Sequence, residues 1–133
     1  MDYAGDLTPR QAWDLLASDE DALLVDVRTR EEWEGVGVPD VPGAAFVEWV
    51  SGPLRTPNPA FVDEVVAAGA APGRPLVFLC RSGVRSMGAA QALTAAGLGP
   101  AYNVLQGFEG DPGPDGERGH TGWRADGLPW REL

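Results

Sequence analysis

LVFLCRSGVRS, residues 76–86, joins an apolar run to a segment of polar and charged residues. Its first four residues predict a buried strand, because a short continuous apolar run is typical of strands covered on both faces. The small residues from about 86 to 96, which end at Gly97, predict a helix. We therefore expect Cys80 to lie between a strand and the start of a helix, at the mouth of the connecting loop.

The chain on either side of this segment alternates between predicted helices and strands. Thr8, Pro9 and Gln11 supply a cap, a first-turn proline and a back-bonding side chain, so they predict the start of a helix. Thr29 and Glu32 repeat the capping pattern for a second helix. This alternation predicts an α/β fold whose mainly parallel central sheet is flanked by helices, with ligands bound beyond the carboxyl ends of the strands. The other predicted elements are strands over 22–27, 44–49 and 101–105, a loop over 51–57, and a helix that opens at Asn58 and Pro59, carries Phe61, Val62, Val65 and Val66 on one stripe and ends at Gly69.

The composition predicts a single domain over residues 1–133 and argues against two classes of partner. With 44% hydrophobic residues, a chain of 133 residues can bury one ordinary core. Its net charge is -10, and all ten basic residues are scattered arginines, which makes nucleic acid an unsuitable partner. No apolar stretch is long enough to span a bilayer, and the first residues lack the features of a leader. We therefore expect no membrane partner and a cytoplasmic location.

The cysteine and histidine counts limit the chemistry further. A single cysteine, Cys80, cannot form an internal disulfide, and with one histidine, His120, it cannot build a structural metal site of the cysteine and histidine type. We expect neither a metal nor a cofactor. His120 lies in the segment 107–122, where glycine recurs at every third position, and this segment is predicted to be a turn-rich loop that exposes the histidine. Trp130 is expected to anchor the tail onto the body.

The residues that follow Cys80 predict a cradle for an anion. Gly83 permits a tight backbone path, and the backbone N–H groups at the amino terminus of a helix point towards a bound anion. Arg81 and Arg85 add two positive charges, and both features favour the thiolate, which is the reactive form of cysteine. The alternative is that Cys80 is a small buried hydrophobe at a strand end. Two arginines and a glycine in the next five residues argue against a core position, because unpaired buried charges are costly.

The loop CRSGVRS, residues 80–86, resembles the active-site loop of rhodanese-like sulfurtransferases. The resemblance covers nearly the whole chain and implies a three-layer rhodanese-like domain. One departure is visible, because family members commonly carry a Gly-His pair where this chain has Pro39 and Asp40. The other motifs that carry the resemblance follow the order of the family: Asp26-Val27-Arg28, Glu31-Glu32-Trp33, Pro42-Gly43-Ala44, Gly107-Phe108, Gly122-Trp123 and Gly127-Leu128-Pro129-Trp130.

This resemblance implies sulfur transfer in two half-reactions. Cys80 attacks a sulfane sulfur donor, holds the sulfur as a persulfide and passes it to cyanide, to a thiol or to a sulfur-accepting protein. Arg81 and Arg85 attract an anionic donor such as thiosulfate. We interpret Asp26 and Arg28 as a structural pair that fixes the neighbouring strand end, in preference to an active-site role; the other alternative is an ordinary surface ion pair. The residues expected to hold the donor and the persulfide are those of the loop, Arg81, Ser82, Gly83, Val84, Arg85 and Ser86.

Two other functions compete with this interpretation. Cysteine phosphatases of a related fold use a C-x5-R loop, whereas four residues separate Cys80 from Arg85, and the shorter loop suits a single sulfur better than a phosphate group. A non-catalytic docking or regulatory module is the second alternative. Modules of that kind often lack the cysteine, so the presence of Cys80 with both arginines favours the enzyme.

Overall fold

Residues 2–133, the part of the chain that the computed structural model describes, form nine strands and four helices. Five strands form a parallel sheet, and two antiparallel strand pairs lie outside it. The predicted α/β fold, with a parallel central sheet flanked by helices, is therefore confirmed. The strands are β1 (Gly5–Leu7), β2 (Leu23–Asp26), β3 (Val38–Pro39), β4 (Ala45–Phe46), β5 (Val50–Ser51), β6 (Thr56–Pro57), β7 (Pro72–Leu79), β8 (Gly99–Val104) and β9 (Trp130–Arg131). The helices are α1 (Pro9–Ser18), α2 (Arg30–Val36), α3 (Phe61–Ala67) and α4 (Val84–Ala95).

The strand order of the sheet is β1-β8-β7-β2-β4. Both faces of this sheet are covered, which explains why its central strands are largely apolar. Residues of β2 alternate between the faces, since Val25 belongs to the core that α3 and α4 cover and Leu24 to the core that α1 covers. The sheet is therefore the middle of three layers, and the carboxyl ends of its strands meet at one edge. None of the helices within residues 2–133 is long and apolar enough to cross a bilayer.

Local signals fix the starts of two helices as predicted. Thr8 Oγ1 accepts a hydrogen bond from Gln11 N–H at 3.1 Å, and the Gln11 side chain accepts one from Thr8 N–H at 2.9 Å. Thr29 and Glu32 make the same reciprocal pair at the start of α2. Each pair satisfies two backbone N–H groups near the first helical turn, and a side-chain cap of this kind contributes about 1 kcal/mol.

Other predicted elements differ from the structure at their boundaries. The strand expected over 44–49 pairs with the sheet over only two residues, as β4, and the predicted loop 51–57 contains part of the antiparallel pair β5–β6. The sequence does not predict β1, because its three residues include a glycine and an aspartate and form no apolar run. Val66, predicted to lie on the apolar stripe of α3, is 45% exposed.

Trp123, rather than Trp130 alone, anchors the tail of the chain. Trp123 is fully buried, and its Nε1–H donates to the Pro129 carbonyl at 2.7 Å. Trp130 is 38% exposed and meets the Phe108 ring edge-on, with 6.2 Å between ring centroids. β9 pairs with β3, so the tail is held by a backbone ladder as well as by aromatic contacts.

Candidate active site

Cys80 follows β7 directly and lies beneath the loop that leads into α4. Its Sγ accepts a hydrogen bond from Gly83 N–H at 3.0 Å and lies 3.1 Å from Ser86 Oγ. Cys80 lies between strand and helix as expected, but the residue is only 1% exposed, so the thiol lies beneath the loop and not at its mouth. Cys80 also packs into the apolar core beneath α4. The sulfur therefore lies at the boundary between that core and a polar loop.

Gly83 makes the sharp turn that brings the loop back over the sulfur. Its φ is +110°, a conformation that residues with a Cβ rarely adopt. α4 begins at the next residue, Val84, two residues earlier than predicted, and no side chain caps its first turn. Because the first N–H groups of a helix have no intrahelical acceptor, they are available to an anion bound at this end.

The glycine-rich segment 107–122 supports the loop from outside. The Cys80 carbonyl accepts a hydrogen bond from Phe108 N–H at 2.8 Å, and the Arg81 carbonyl accepts bonds from the next two amides at 3.0 and 3.2 Å. A Cβ on Gly107 would overlap the Cys80 carbonyl oxygen, so glycine is needed for this close approach. The segment thus does more than form the turn-rich loop that the sequence predicts, because it holds the carbonyls that flank the cysteine.

Arg85 forms an ion pair with Glu32 of α2. Its Nη1 and Nη2 donate to the two carboxylate oxygens at 2.7 and 2.9 Å, and both side chains are 13% exposed. Burial opposes ionisation of Glu32, but the hydrogen bonds and the charge of Arg85 outweigh it and lower the pKa of Glu32 from 4.5 to about 2. The charge of Arg85 is therefore largely compensated at neutral pH. The sequence does not reveal this pair because its partners are 53 residues apart.

Arg81 differs from Arg85 in having no carboxylate partner. Within residues 2–133 the Arg81 guanidinium forms no ion pair, and its Nε is buried without a hydrogen-bond partner. A buried donor without a partner is costly, so this group is suited to an anionic ligand. Next to the Arg85–Glu32 pair, an open cleft of about 430 Å³ has Glu32 and Arg55 among its lining residues.

The loop residues predicted to form the site differ in their exposure. Val84 is 78% exposed, so its side chain lies on the outer face of the loop, away from the sulfur. The remaining members are Gly83 and Ser86, which are buried, and Arg81, Ser82 and Arg85, which are partly buried.

A chain of hydrogen bonds leads from Ser86 to the edge of the sheet. Ser86 Oγ lies 2.5 Å from Asn103 Oδ1, and Asn103 Nδ2 donates to Asp6 Oδ1 at 3.1 Å. The Tyr3 hydroxyl donates to the same Asp6 oxygen at 2.7 Å. None of Tyr3, Asp6 and Asn103 was among the predicted site residues. The one signal in the sequence is the amide of Asn103 within the otherwise largely apolar predicted strand 101–105.

Asp26 and Arg28 form a fully buried pair at the carboxyl end of β2. Arg28 Nη2 donates to Asp26 Oδ2 at 2.7 Å and to the Gly37 carbonyl at 2.8 Å, and both side chains of the pair are 0% exposed. The guanidinium carbon lies 4.3 Å from the centroid of the Phe108 ring. The pair therefore connects the end of β2 to the residue whose N–H holds the Cys80 carbonyl. This confirms the predicted structural pair and excludes an ordinary surface ion pair.

His120 lies in the glycine-rich segment, where its side chain is 54% exposed. Its Nε2 is 3.3 Å from Asp115 Oδ1. The predicted exposed loop position is confirmed, and His120 makes no hydrogen bond with Cys80, whose sulfur contacts Gly83 and Ser86.

Three known proteins are similar to this chain across most of its length. The crystal structure of Rv0390 from M. tuberculosis has 51% sequence identity and a TM-score of 0.89, and the match covers 98% of this chain and 99% of that one. An uncharacterized protein of Rickettsia conorii is 38% identical over 122 residues, which cover 91% of this chain and 92% of that protein. The solution structure of a polysulfide-sulfur transferase homodimer from Wolinella succinogenes has 26% identity and a TM-score of 0.67, with 99% of this chain and 80% of that chain covered. The sequence profile of the Rhodanese-like domain matches residues 8–110, and the chain therefore belongs to the rhodanese-like family.

Proposed function

We propose that this chain is a sulfurtransferase that carries sulfane sulfur as a persulfide on Cys80. The observation that carries the proposal is the position of Cys80. This residue directly follows β7, and its Sγ lies 3.0 Å from the Gly83 nitrogen, beneath the loop that leads into α4. Membership of the rhodanese-like family and the likeness to a polysulfide-sulfur transferase support sulfur transfer in general. The positive charge of Arg81 favours an anionic donor such as thiosulfate, and cyanide or a thiol is the proposed acceptor.

The first half-reaction loads the enzyme with sulfur. The Cys80 thiolate attacks the outer sulfur of a donor such as thiosulfate, a new S–S bond forms, and the S–S bond of the donor breaks. Sulfite leaves with the electron pair of the broken bond, and the negative charge comes to the terminal sulfur of the persulfide. The N–H groups at the start of α4 and the free donors of Arg81 supply hydrogen bonds and positive charge for this anion.

The second half-reaction passes the sulfur on. Cyanide or a thiolate attacks the terminal sulfur and bonds to it, the S–S bond of the persulfide breaks, and its electron pair returns to the Cys80 Sγ. Because the chain has a single cysteine, no internal thiol can take the sulfur, and the acceptor is an external molecule. Glu32, which pairs with Arg85 of the loop, also lines the open cleft, and we propose this cleft as the side from which a small thiol or a sulfur-accepting protein approaches.

Arg81, rather than Arg85, is the main attraction for an anionic donor in this scheme. The Glu32 carboxylate, 2.7 Å from Arg85 Nη1, compensates the charge of Arg85. Arg81 forms no ion pair in the part of the chain that the structure describes. Arg85 then serves chiefly to fix the loop against α2.

The 1% exposure of Cys80 is the observation that favours the alternative, a non-catalytic docking module. Under the proposed function, the loop after Cys80 moves aside far enough for the outer sulfur of the donor to reach the Sγ. The second alternative, a cysteine phosphatase, fits less well because only four residues separate Cys80 from Arg85.

Mass spectrometry of the intact protein tests the proposal directly. After incubation with thiosulfate and removal of free donor, the mass should rise by one sulfur atom, and added cyanide should restore the starting mass and release thiocyanate. Cys80→Ser, which keeps the size of the side chain, should take up no sulfur and should lack thiosulfate:cyanide transfer. Comparing cyanide, glutathione and a dithiol on the loaded protein then identifies the class of acceptor.

Three outcomes of this experiment would contradict the proposal. Failure of the wild-type protein to take up sulfur would favour the docking module. An equal adduct on Cys80→Ser would remove Cys80 as the nucleophile. Hydrolysis of p-nitrophenyl phosphate by the wild-type protein but not by Cys80→Ser, without sulfur uptake, would favour the phosphatase.

A further inference from the structure

The hydrogen-bond chain behind Cys80 has a fixed direction. A carboxylate can only accept hydrogen bonds, so the Asn103 side chain presents its NH₂ group to Asp6, at 3.1 Å. Its carbonyl oxygen therefore faces the opposite way, towards Ser86. The Tyr3 hydroxyl donates to the same Asp6 oxygen at 2.7 Å, and this bond does not involve the Asn103 side chain.

Ser86 has one hydroxyl proton and two neighbours that could receive it. Asn103 Oδ1 lies at 2.5 Å from the Ser86 oxygen, and Cys80 Sγ lies at 3.1 Å. Ser86 and Asn103 are 0% and 1% exposed, and Asn103 Oδ1 has no other donor within residues 2–133. A buried carbonyl without a donor is costly. The shorter distance and this cost both assign the proton to Asn103.

The Ser86 oxygen consequently presents a lone pair to the sulfur. A lone pair accepts the S–H of a neutral thiol but repels a thiolate. If the hydroxyl turns towards the thiolate instead, the buried carbonyl of Asn103 loses its donor. Both arrangements disfavour the thiolate relative to the thiol.

We infer that Asn103 is a positioning residue that biases Cys80 against the free thiolate by holding the Ser86 hydroxyl. The consequence for sulfur loading rests on the proposed function. In a persulfide the negative charge lies on the terminal sulfur and the inner sulfur is uncharged, so the bias does not act against the loaded enzyme. Asn103 thereby shifts the balance towards the loaded form.

Charged groups on the neighbouring elements also act on the sulfur. They stay the same in every variant described below that leaves Asp6 in place, so the comparison isolates the hydrogen-bond chain. These groups are Asp26 at the end of β2, Arg28 just after that strand, Glu32 on α2, Arg81 in the loop, Arg85 in the first turn of α4, and Glu109 after β8.

The rate at which iodoacetamide alkylates Cys80, measured against pH, tests the inference without any sulfur donor. Asn103→Ala should lower the pH of half-maximal rate by about one unit, because the freed Ser86 hydroxyl then donates to the thiolate. In the Ser86→Ala background the same substitution should leave this midpoint unchanged. Two results would overturn the inference. In the first, Asn103→Ala leaves the midpoint unchanged or raises it in the protein that keeps Ser86. In the second, Asn103→Ala lowers the midpoint equally with and without Ser86.

A second variant, at the exposed end of the chain of hydrogen bonds, covers the case in which Asn103→Ala does not fold. Asp6→Ala removes the acceptor that orients the Asn103 amide, so the amide can turn and release the Ser86 hydroxyl. The midpoint should fall when Ser86 is present and stay unchanged in the Ser86→Ala background. A simple effect of the lost Asp6 charge would persist without Ser86, and that result would overturn the inference. Tyr3→Phe keeps the Asp6–Asn103 bond and is the matched control, with an unchanged midpoint expected.

The loaded fraction at equilibrium with thiosulfate and sulfite is the readout that depends on the proposed function. Above the alkylation midpoint, Asn103→Ala should lower the ratio of persulfide to free enzyme by about tenfold. The predicted alkylation shift in a protein that never takes up sulfur would support the positioning role and refute sulfur transfer. Normal sulfur loading with an unshifted alkylation midpoint would support sulfur transfer and refute the positioning role of Asn103.

Discussion

Replacement of Gly107 by alanine tests whether the glycine-rich segment supports the cysteine loop. Gly107 has a φ of +53°, and a Cβ there would overlap the Cys80 carbonyl oxygen and lie 2.6 Å from the Arg81 carbonyl carbon. Both neighbours are backbone atoms, which cannot rotate away as the end of a flexible side chain can. Alanine therefore forces the segment and the loop apart.

The expected loss of stability has two parts. The left-handed backbone conformation costs a residue with a Cβ about 1 kcal/mol, and an extra methyl group in a closely packed contact costs about 1–3 kcal/mol more. Gly116→Ala isolates the first part, because Gly116 has a φ of +79° and nothing lies within 4 Å of its Cβ position. The contact with the cysteine loop should thus separate the two variants by about 1–3 kcal/mol in the free energy of unfolding.

Urea unfolding, followed by tryptophan fluorescence, measures the free energy of unfolding of both variants. Iodoacetamide alkylation at fixed pH reports separately on the cover over Cys80. Gly107→Ala should lose more stability than Gly116→Ala and should alkylate at a changed rate, whereas Gly116→Ala should alkylate like the wild-type protein. Equal losses in the two variants, together with equal alkylation rates, would refute the supporting role of the segment.

Two further predictions concern the ion pairs. Because the pKa of Glu32 is lowered from 4.5 to about 2, its ionised form stabilises the fold above about pH 4.5, and this stability is lost as the pH falls towards 2. The size of the pKa shift limits the contribution of ionised Glu32 to the free energy of unfolding to about 3 kcal/mol, and solvent screening reduces it to about 1–2 kcal/mol. In urea unfolding, the stability difference between wild type and Glu32→Gln should therefore shrink as the pH falls from about 6 to about 3. A difference that does not depend on pH would contradict this account. Asp26→Ala should cost about 3–5 kcal/mol because it leaves the buried charge of Arg28 unpaired, and the double variant Asp26→Ala/Arg28→Met should recover part of that loss. A double variant no more stable than the single one would show that the unpaired charge is not the cause.

The parts of the fold that depend on neighbours in the sequence could be predicted, and the parts that depend on distant partners could not. The capping pairs at Thr8 and Thr29 predict two helix starts correctly because each cap bonds a residue three positions later. The apolar runs predict β2 and β7 because strands buried on both faces need no alternation. β1 could not be predicted in this way, since it has no apolar run and is held by its pairing with β8, far along the chain.

The candidate site divides along the same line. Cys80, Gly83 and the two arginines are contiguous, so their order alone indicates a loop that enters a helix. The hydrogen-bond chain that starts at Ser86 runs through residues on neighbouring strands of the sheet. Their positions depend on the strand order, which places β1 beside β8 and β8 beside β7. This order brings Asp6 to Asn103, 97 residues apart in the sequence, and no local pattern encodes such a contact. The backbone supports of Cys80 and Arg81 also come from a distant segment, so the residues next to Cys80 in the sequence do not show how the loop is held in place.

The order in which the site is assembled follows from the place of its supports in the chain. Synthesis proceeds from the amino terminus, so Cys80 leaves the ribosome before Phe108, whose N–H holds its carbonyl at 2.8 Å, and before Trp123, whose N–H bonds the Gly107 carbonyl at 2.8 Å. The newly made polypeptide therefore carries the cysteine loop without these backbone supports until residues 107–123 have been made and have docked. Since no second cysteine is present, oxidation of Cys80 during that interval cannot produce a wrong internal disulfide.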